Sequence, residues 1–323
     1  MLYRTTARLS RLTVSGGRMA WAQQASGSFC VRIFRRPQLG GMPAPVTRCR
    51  PPSRPFLTTL RMWIRLDGPH AFWEEAGHGN TEADEFVDST LPGGRRSPAV
   101  YTINCGGSAG SGKLAGAIAP AALVYSVFTV QTDGSCALLS GTGVLRRIVV
   151  AGGHTQRVLV PGAPGAAMLA VSGRNLLEAP AVIASFDIEP GQTLELRGVV
   201  SGTRHWSSAF TGTLRAVALS PSYAAALVRT ASGSDRIRAY AAASGVLVRS
   251  IPVKATALSM LAMVGPRVVF AYPGGIMIWN VRTNRVHLLQ RTHAAAHNLL
   301  ADGRMVAWNT AHTIQGIRLG PAG

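Results

Sequence analysis

The chain has 323 residues, 47% of them hydrophobic and 15% charged, with a formal net charge of +19. That is enough apolar material for one large core or a ring of small ones. So few charges argue against a long solvated helix bundle, while Gly 36 and Pro 19 suit a turn-rich all-β protein.

The charge is unevenly placed. Residues 1–66 hold twelve Arg and no acid, and in the whole chain only Lys113 and Lys254 are Lys. Such an arginine bias, beside the Ala, Gly and Pro load, reads as GC-rich coding more than selection for a polyanion. From Met1 to Pro55 no periodicity is sustained, and Arg4, Arg8, Arg11 and Arg18 interrupt any secretory apolar run. Residues 1–56 are therefore expected to be a disordered Arg-rich leader: a transit peptide, a basic tail or a wrongly assigned start. A run of guanidinium groups also suits a nucleic-acid arm, but no ordered basic motif accompanies it. Cys30 to Phe34 is its strand-like island. Cys105 and Cys136 lack metal-ligand spacing; bridged, they would contribute about 3–4 kcal/mol in an oxidising compartment, and two buried thiols are the alternative.

A phrase recurs beyond residue 60: a Gly or Pro turn, one or two polar residues, then a β-prone apolar run. It reads Asp67-Gly68-Pro69-His70 near the start and Asp302-Gly303-Arg304-Met305-Val306-Ala307-Trp308 near the end. Between them come Pro120 to Tyr125, Ser172-Gly173-Arg174-Asn175, Ser220-Pro221-Ser222-Tyr223 and Gly265-Pro266-Arg267. Repeats of roughly 40–50 residues made of short strands are the signature of a β-propeller. Leu60 to Leu66 alternates well and is expected to be the inner strand of the first blade. In the clearest unit the strands are Ala255 to Leu261, Arg267 to Tyr272, Gly275 to Val281 and Arg285 to Gln290. The unit before it gives Leu214 to Leu219, Tyr223 to Arg229, Arg236 to Tyr240 and Val246 to Ile251. The last gives three: His297 to Ala301, Arg304 to Asn309 and Thr313 to Leu319. Its fourth must come from elsewhere, and Cys30 to Phe34 is the upstream candidate. Leu114 to Thr132 is uncharged over nineteen residues, but Gly116, Pro120 and the polar second half favour two adjacent strands over a membrane span.

Gly275-Ile276-Met277-Ile278-Trp279-Asn280-Val281-Arg282-Thr283-Asn284 resembles the WD40 strand that ends in Trp-Asp before a Thr-Gly-type turn. Ser220-Pro221-Ser222 and Asp302-Gly303-Arg304 are similar to the Ser-Pro-Asp-Gly turn of TolB-type repeats. The resemblance covers roughly 60–319. Asn280 stands where the family has Asp, and the Gly-His opening is absent. It implies a propeller fold and a binding platform, and it passes no functional residue to this chain.

Four constellations invite chemistry. Gly107 to Lys113 has P-loop spacing, but Leu114 stands where a hydroxyl must hold magnesium, and Pro120 would cut the helix short. His70, Glu74 and His78 share a face only on a helix, which Gly68, Pro69, Gly77 and Gly79 oppose. His293 and His297 fall in a connecting loop. Glu82, Asp84, Glu85 and Asp88 form an acidic cluster, read as a solvated loop. No Gly-x-Ser-x-Gly elbow occurs.

The sequence thus predicts an all-β propeller of about six four-stranded antiparallel blades over residues 57–323, a monomer without a membrane span. Its expected function is non-enzymatic binding of a protein or small molecule at the loop face or channel. No catalytic, metal or cofactor-binding residue is assigned. A channel hydrolase or lyase is the alternative, and nucleic-acid binding through the leader is the third reading.

Overall fold

The computed structural model describes residues 2–15, 18–24, 31–36, 44–45, 64–67, 70–77, 81–90, 95–104, 110–115, 124–132, 138–151, 154–184, 187–254, 260–292 and 294–321. Every regular element among them is a strand. The strands form seven antiparallel sheets, each built around four consecutive neighbours. In chain order we call these blades 1 to 7. Blade 1 holds Arg8–Ser15, Arg18–Gln24, Val31–Arg36 and Ala44–Pro45; blade 2 holds Ile64–Asp67, His70–Gly77, Thr81–Thr90 and Arg95–Asn104. Blade 3 holds Gly110–Ala115, Val124–Thr132, Leu138–Ala151 and His154–Pro164. Blade 4 holds Ala166–Ser172, Asn175–Ala184, Thr193–Gly198 and Arg204–Ala209, with Asp187–Pro190 as an extra strand against its second. Blade 5 holds Thr213–Leu219, Tyr223–Arg229, Asp235–Ala241 and Leu247–Val253; blade 6 holds Leu261–Val264, Arg267–Tyr272, Gly275–Asn280 and Arg285–Arg291. Blade 7 holds Asn298–Asp302, Met305–Asn309 and Thr313–Arg318, and its fourth strand is Tyr3–Arg4. Each blade touches the next, and the first strand of blade 1 touches that of blade 7, so the sheets form a closed ring.

Blade strands are apolar on both faces because each sheet is covered twice. In Arg267–Tyr272, Val268 and Phe270 pack toward blade 5 with Leu227 and Ile237. The intervening Val269 and Ala271 pack toward blade 7 with Val306 and Trp308. That explains the unbroken run Val-Val-Phe-Ala where a half-solvated strand would alternate. Trp279 and Trp308 are fully buried in these wedges. Burial of a large side chain is worth about 1.5–3 kcal/mol, and half of each wedge belongs to the neighbour, so no blade stands alone.

Ten of the eleven strands in the three C-terminal units match expectation to within two residues; the exception is the first strand of blade 6, which is Leu261–Val264 where Ala255 to Leu261 was expected, residues 255–259 lying outside the described set. Within Leu114 to Thr132 the described residues are strand: Leu114 and Ala115 end one strand and Val124–Thr132 is its antiparallel partner, paired from Gly110↔Thr132 to Ala115↔Val127, while residues 116–123 lie outside the described set. Ile64–Asp67 is the first strand of its blade. The start of the chain is where expectation and structure part. Among the described residues there are seven sheets, where about six blades were expected, and residues expected to be disordered supply the difference. Leu9, Leu12, Met19 and Trp21 are buried with Ala307 and Ile314 of blade 7, an apolar face that no solvated leader retains. Cys30 to Phe34 does not close the ring: Val31–Arg36 pairs within blade 1. Closure falls to Tyr3–Arg4, with Tyr3↔Ile314 and Arg4↔Thr313 in register.

Polar contacts fasten that junction. Leu2 N donates to Ile314 O at 2.8 Å, Thr5 N to His312 O at 3.0 Å and Leu9 N to Ala311 O at 2.7 Å. Tyr3 lies against Trp21, ring centroids 4.8 Å apart. Gln23 Nε2 donates to Thr5 Oγ1 at 3.2 Å.

Candidate functional site

Antiparallel order fixes what lies at each end of the ring. Turns joining first to second and third to fourth strands share one end, here the turn end; the remaining connections share the opposite end. The recurrent phrases all fall between first and second strands, so they are gathered at the turn end. Three of these hairpins place Gly173, Gly265 and Gly303 at φ 57°, a conformation that only glycine reaches without strain.

One hydrogen bond recurs at this end. The third turn residue offers its carbonyl to the amide that follows the third strand or comes shortly after it. Val199 N donates to Arg174 O at 2.9 Å, Ala242 N to Ser222 O at 3.0 Å, Val281 N to Pro266 O at 2.9 Å and Leu319 N to Arg304 O at 2.8 Å. In blades 4, 5 and 6 the two turns are thereby tied together on a frame that ignores side-chain identity, and in blade 7 the first turn is tied to the end of the third strand. In blade 5, Ser220 Oγ accepts from Tyr223 N at 3.1 Å. In blade 6, Asn280 Oδ1 accepts from Arg282 N at 3.0 Å, and Trp279 Nε1 donates to Asn284 Oδ1 at 3.2 Å. Asn280 thus shapes its turn as an Asx residue does. Trp206 reaches over to blade 5, donating to Ala242 O at 2.8 Å.

Two charged clusters lie among the blade strands. Leu177, Ala179, Leu194 and Leu196 of blade 4 face blade 5, so alternation turns Glu178, Glu195 and Arg197 toward blade 3, where Leu176 meets Val124 and Leu145. Arg197 pairs with Glu178 and Glu195 and donates to Gly202 O at 3.1 Å. Glu178 is fully buried, its Oε2 without a hydrogen-bond partner, and burial pushes its carboxyl up to about 7 against the pull of Arg197. This triad sits in a wedge between sheets, a place suited to holding two blades in register. Asp235 opens the third strand of blade 5 at the opposite end. Arg229 grips it with two bonds of 3.1 and 3.2 Å and Arg215 adds contacts of 3.3 Å. Hydrogen bonding from Arg229 holds its carboxyl below the usual range.

The sequence-level candidates are not brought into one site. Gly110–Ala115, with Lys113, is a strand and not the start of a helix, so the P-loop spacing has no helix N-terminus behind it; residues 107–109 lie outside the described set, as do Cys30, Cys49, Cys105 and Cys136. His70 and Glu74 share the strand His70–Gly77, and His78 lies outside the described residues. His297 precedes the first strand of blade 7, and His293 is outside the described residues. Glu82, Asp84, Glu85 and Asp88 belong to the strand Thr81–Thr90 rather than to a loop. Among the described residues, no three His, Cys, Asp or Glu side chains stand close enough to hold a metal ion.

No protein-family model matches the sequence, and no curated protein matches it either. Its backbone is similar to solved structures. One in the crystal structure of a mitotic checkpoint complex is 12% identical, with a TM-score of 0.55 over 99% of this chain and 94% of that one. The Neurospora crassa Pan2 WD40 domain is 9% identical, with a TM-score of 0.52 over 96% and 89%. The fold is a WD40-like β-propeller. A puromycin-hydrolyzing peptidase of Mycobacterium tuberculosis is also similar, at 13% identity and a TM-score of 0.57, but the propeller covers only 52% of its length. At such identities the likeness extends to fold alone.

The buried Glu178–Arg197–Glu195 triad escaped the sequence reading. Its signal lies in Leu194-Glu195-Leu196-Arg197, where alternating charges look like a solvent face. In a blade the other face is covered too, so charges there must find each other.

Proposed function

We propose that this propeller is a non-catalytic platform that binds a protein segment across the turn end of the ring. The observation that carries the reading is the repeated turn frame. Four blades hold the same main-chain bond, at 2.8–3.0 Å, while the residue at the bonded position differs from blade to blade: Arg174, Ser222 and Arg304 are exposed, and Pro266 is buried. A rigid frame with variable display is how a ring acquires a specific surface. The two best-defined acidic centres support the same view, since Glu178 is enclosed between sheets and Asp235 is occupied by two guanidinium groups.

The test is a peptide array probed with the whole chain, followed by hydrogen exchange on the complexes selected. Protection is expected in the turn segments 172–175, 199–204, 220–223, 241–246, 264–267, 280–285 and 302–305. Protection confined to the outer strands, or turnover of any array peptide by the purified chain, sinks the proposal.

A further inference from the structure

The two ends of the ring differ in their acids more than in their exposed cations, since Arg4, Arg8, Arg229, Lys254 and Arg291 are exposed at the end opposite the turns. At the turn end, Arg174, Arg282 and Arg304 are exposed on turns, and Arg204, Arg285 and Arg318 are exposed where strands meet that end. The backbone puts Arg35–Arg36 and Arg95–Arg96 at the same level, as the last residues of one strand and the first of another. The acids that share this end are Asp67, Asp88 and Asp302, with Glu195 just inside it, where its carboxylate accepts from Arg204 at 3.3 Å. Asp67 closes a first strand, Asp88 stands opposite Arg95 in register, and Asp302 is half-buried. Most remaining acids sit toward the opposite end. Glu74–Glu75 and Glu82–Asp84 flank the connection between second and third strands of blade 2, Asp187 and Glu189 lie in the extra strand of blade 4, and Asp235 opens a third strand.

From this geometry, and resting on the platform reading above, we infer that the turn end docks an acidic segment of another protein, rich in Asp and Glu. Guanidinium groups on short rigid turns meet carboxylates bidentately, as Arg229 already does with Asp235 inside this molecule. A nucleic acid fits less well. Unpaired bases need aromatic platforms, and among the described side chains no Phe, Tyr or Trp is exposed at this end, where His205 is the exposed ring. Exposed Tyr272 ends a second strand, at the opposite end. The six exposed arginines stand in pairs on blades 4, 6 and 7 around a rim, which suits dispersed carboxylates more than one continuous phosphate track.

The experiment measures binding of a labelled poly-glutamate peptide, a neutral Gly/Ser peptide and a short DNA duplex to the full chain over a salt series. Two triple variants are compared: Arg174→Ser/Arg282→Ser/Arg304→Ser at the turn end and Arg4→Ser/Arg8→Ser/Arg291→Ser at the other. All six side chains are exposed, so both variants should keep the parent circular dichroism and unfolding midpoint. The expected result is salt-sensitive binding of poly-glutamate, weakened about tenfold by the turn-end variant and less than about twofold by its counterpart. Equal weakening by both variants reduces the effect to net charge and overturns the inference. So does tighter binding of the duplex, lost with the turn-end arginines, which would name a nucleic acid instead. Absence of poly-glutamate binding, with neutral peptides protecting the same turns, rejects the acidic partner and leaves the platform standing.

Discussion

Removing residues 1–7 separates a dispensable leader from a structural strand. The deletion abolishes the Leu2 N–Ile314 O and Thr5 N–His312 O bonds, about 1 kcal/mol each. It also strips Leu2 and Tyr3, both half-buried against the blade 7–blade 1 cluster, at about 1–1.5 kcal/mol apiece. The expected loss is about 4–5 kcal/mol, a large part of the roughly 5–15 kcal/mol that holds a typical domain together. Urea unfolding followed by tryptophan fluorescence reads it, since Trp21 loses its neighbour Tyr3 and its emission should shift to the red. Arg4→Ala, at an exposed position, is the control and should cost less than about 0.5 kcal/mol. A truncated chain with the parent's midpoint and emission would refute closure by Tyr3–Arg4 and restore the leader.

Gly245→Ala should be costly. Its φ is +70° and an added Cβ would lie 2.6 Å from the Trp206 ring. Backbone strain and loss of the Trp206–Ala242 bond together give about 2–4 kcal/mol. Gly233→Ala carries a similar φ of +80° in open space, so it should cost only about 1–2 kcal/mol; equal midpoint shifts for the two would remove Trp206 from the explanation. Glu178 makes stability fall with pH. Its folded pKa of about 7 exceeds the reference 4.5, so its stabilisation is complete below about 4.5 and disappears as pH rises through 7, by about 3 kcal/mol in all. Glu178→Gln should flatten that slope in urea titrations at pH 5 and pH 8, and an unchanged slope would assign it to other groups.

The C-terminal blades were legible because each strand there is a continuous apolar run between Gly or Pro turns, and both properties follow from double-sided burial. Blade 1 obeys the same grammar, less visibly. Ser15-Gly16-Gly17-Arg18-Met19-Ala20-Trp21 parallels Asp302-Gly303-Arg304-Met305-Val306-Ala307-Trp308, and each stretch links or follows a first strand. A register shift between Leu9 and Arg11 breaks the alternation that would have revealed Arg8–Ser15, and the dense arginines imitate a solvated tail. Closure by two residues at the start was not readable, because a strand of that length has no period. The difference between the ends was hidden for another reason: acids sort by strand end, and only the topology says which strand ends are neighbours.

The seal between Tyr3–Arg4 and Thr313–Arg318 has a consequence for how the molecule is made. Ala7 and His312, joined at 3.2 Å, are 305 positions apart. A ribosome must therefore release almost the whole polypeptide before that seam can be sewn. Until then the growing protein is an open arc with two raw apolar flanks.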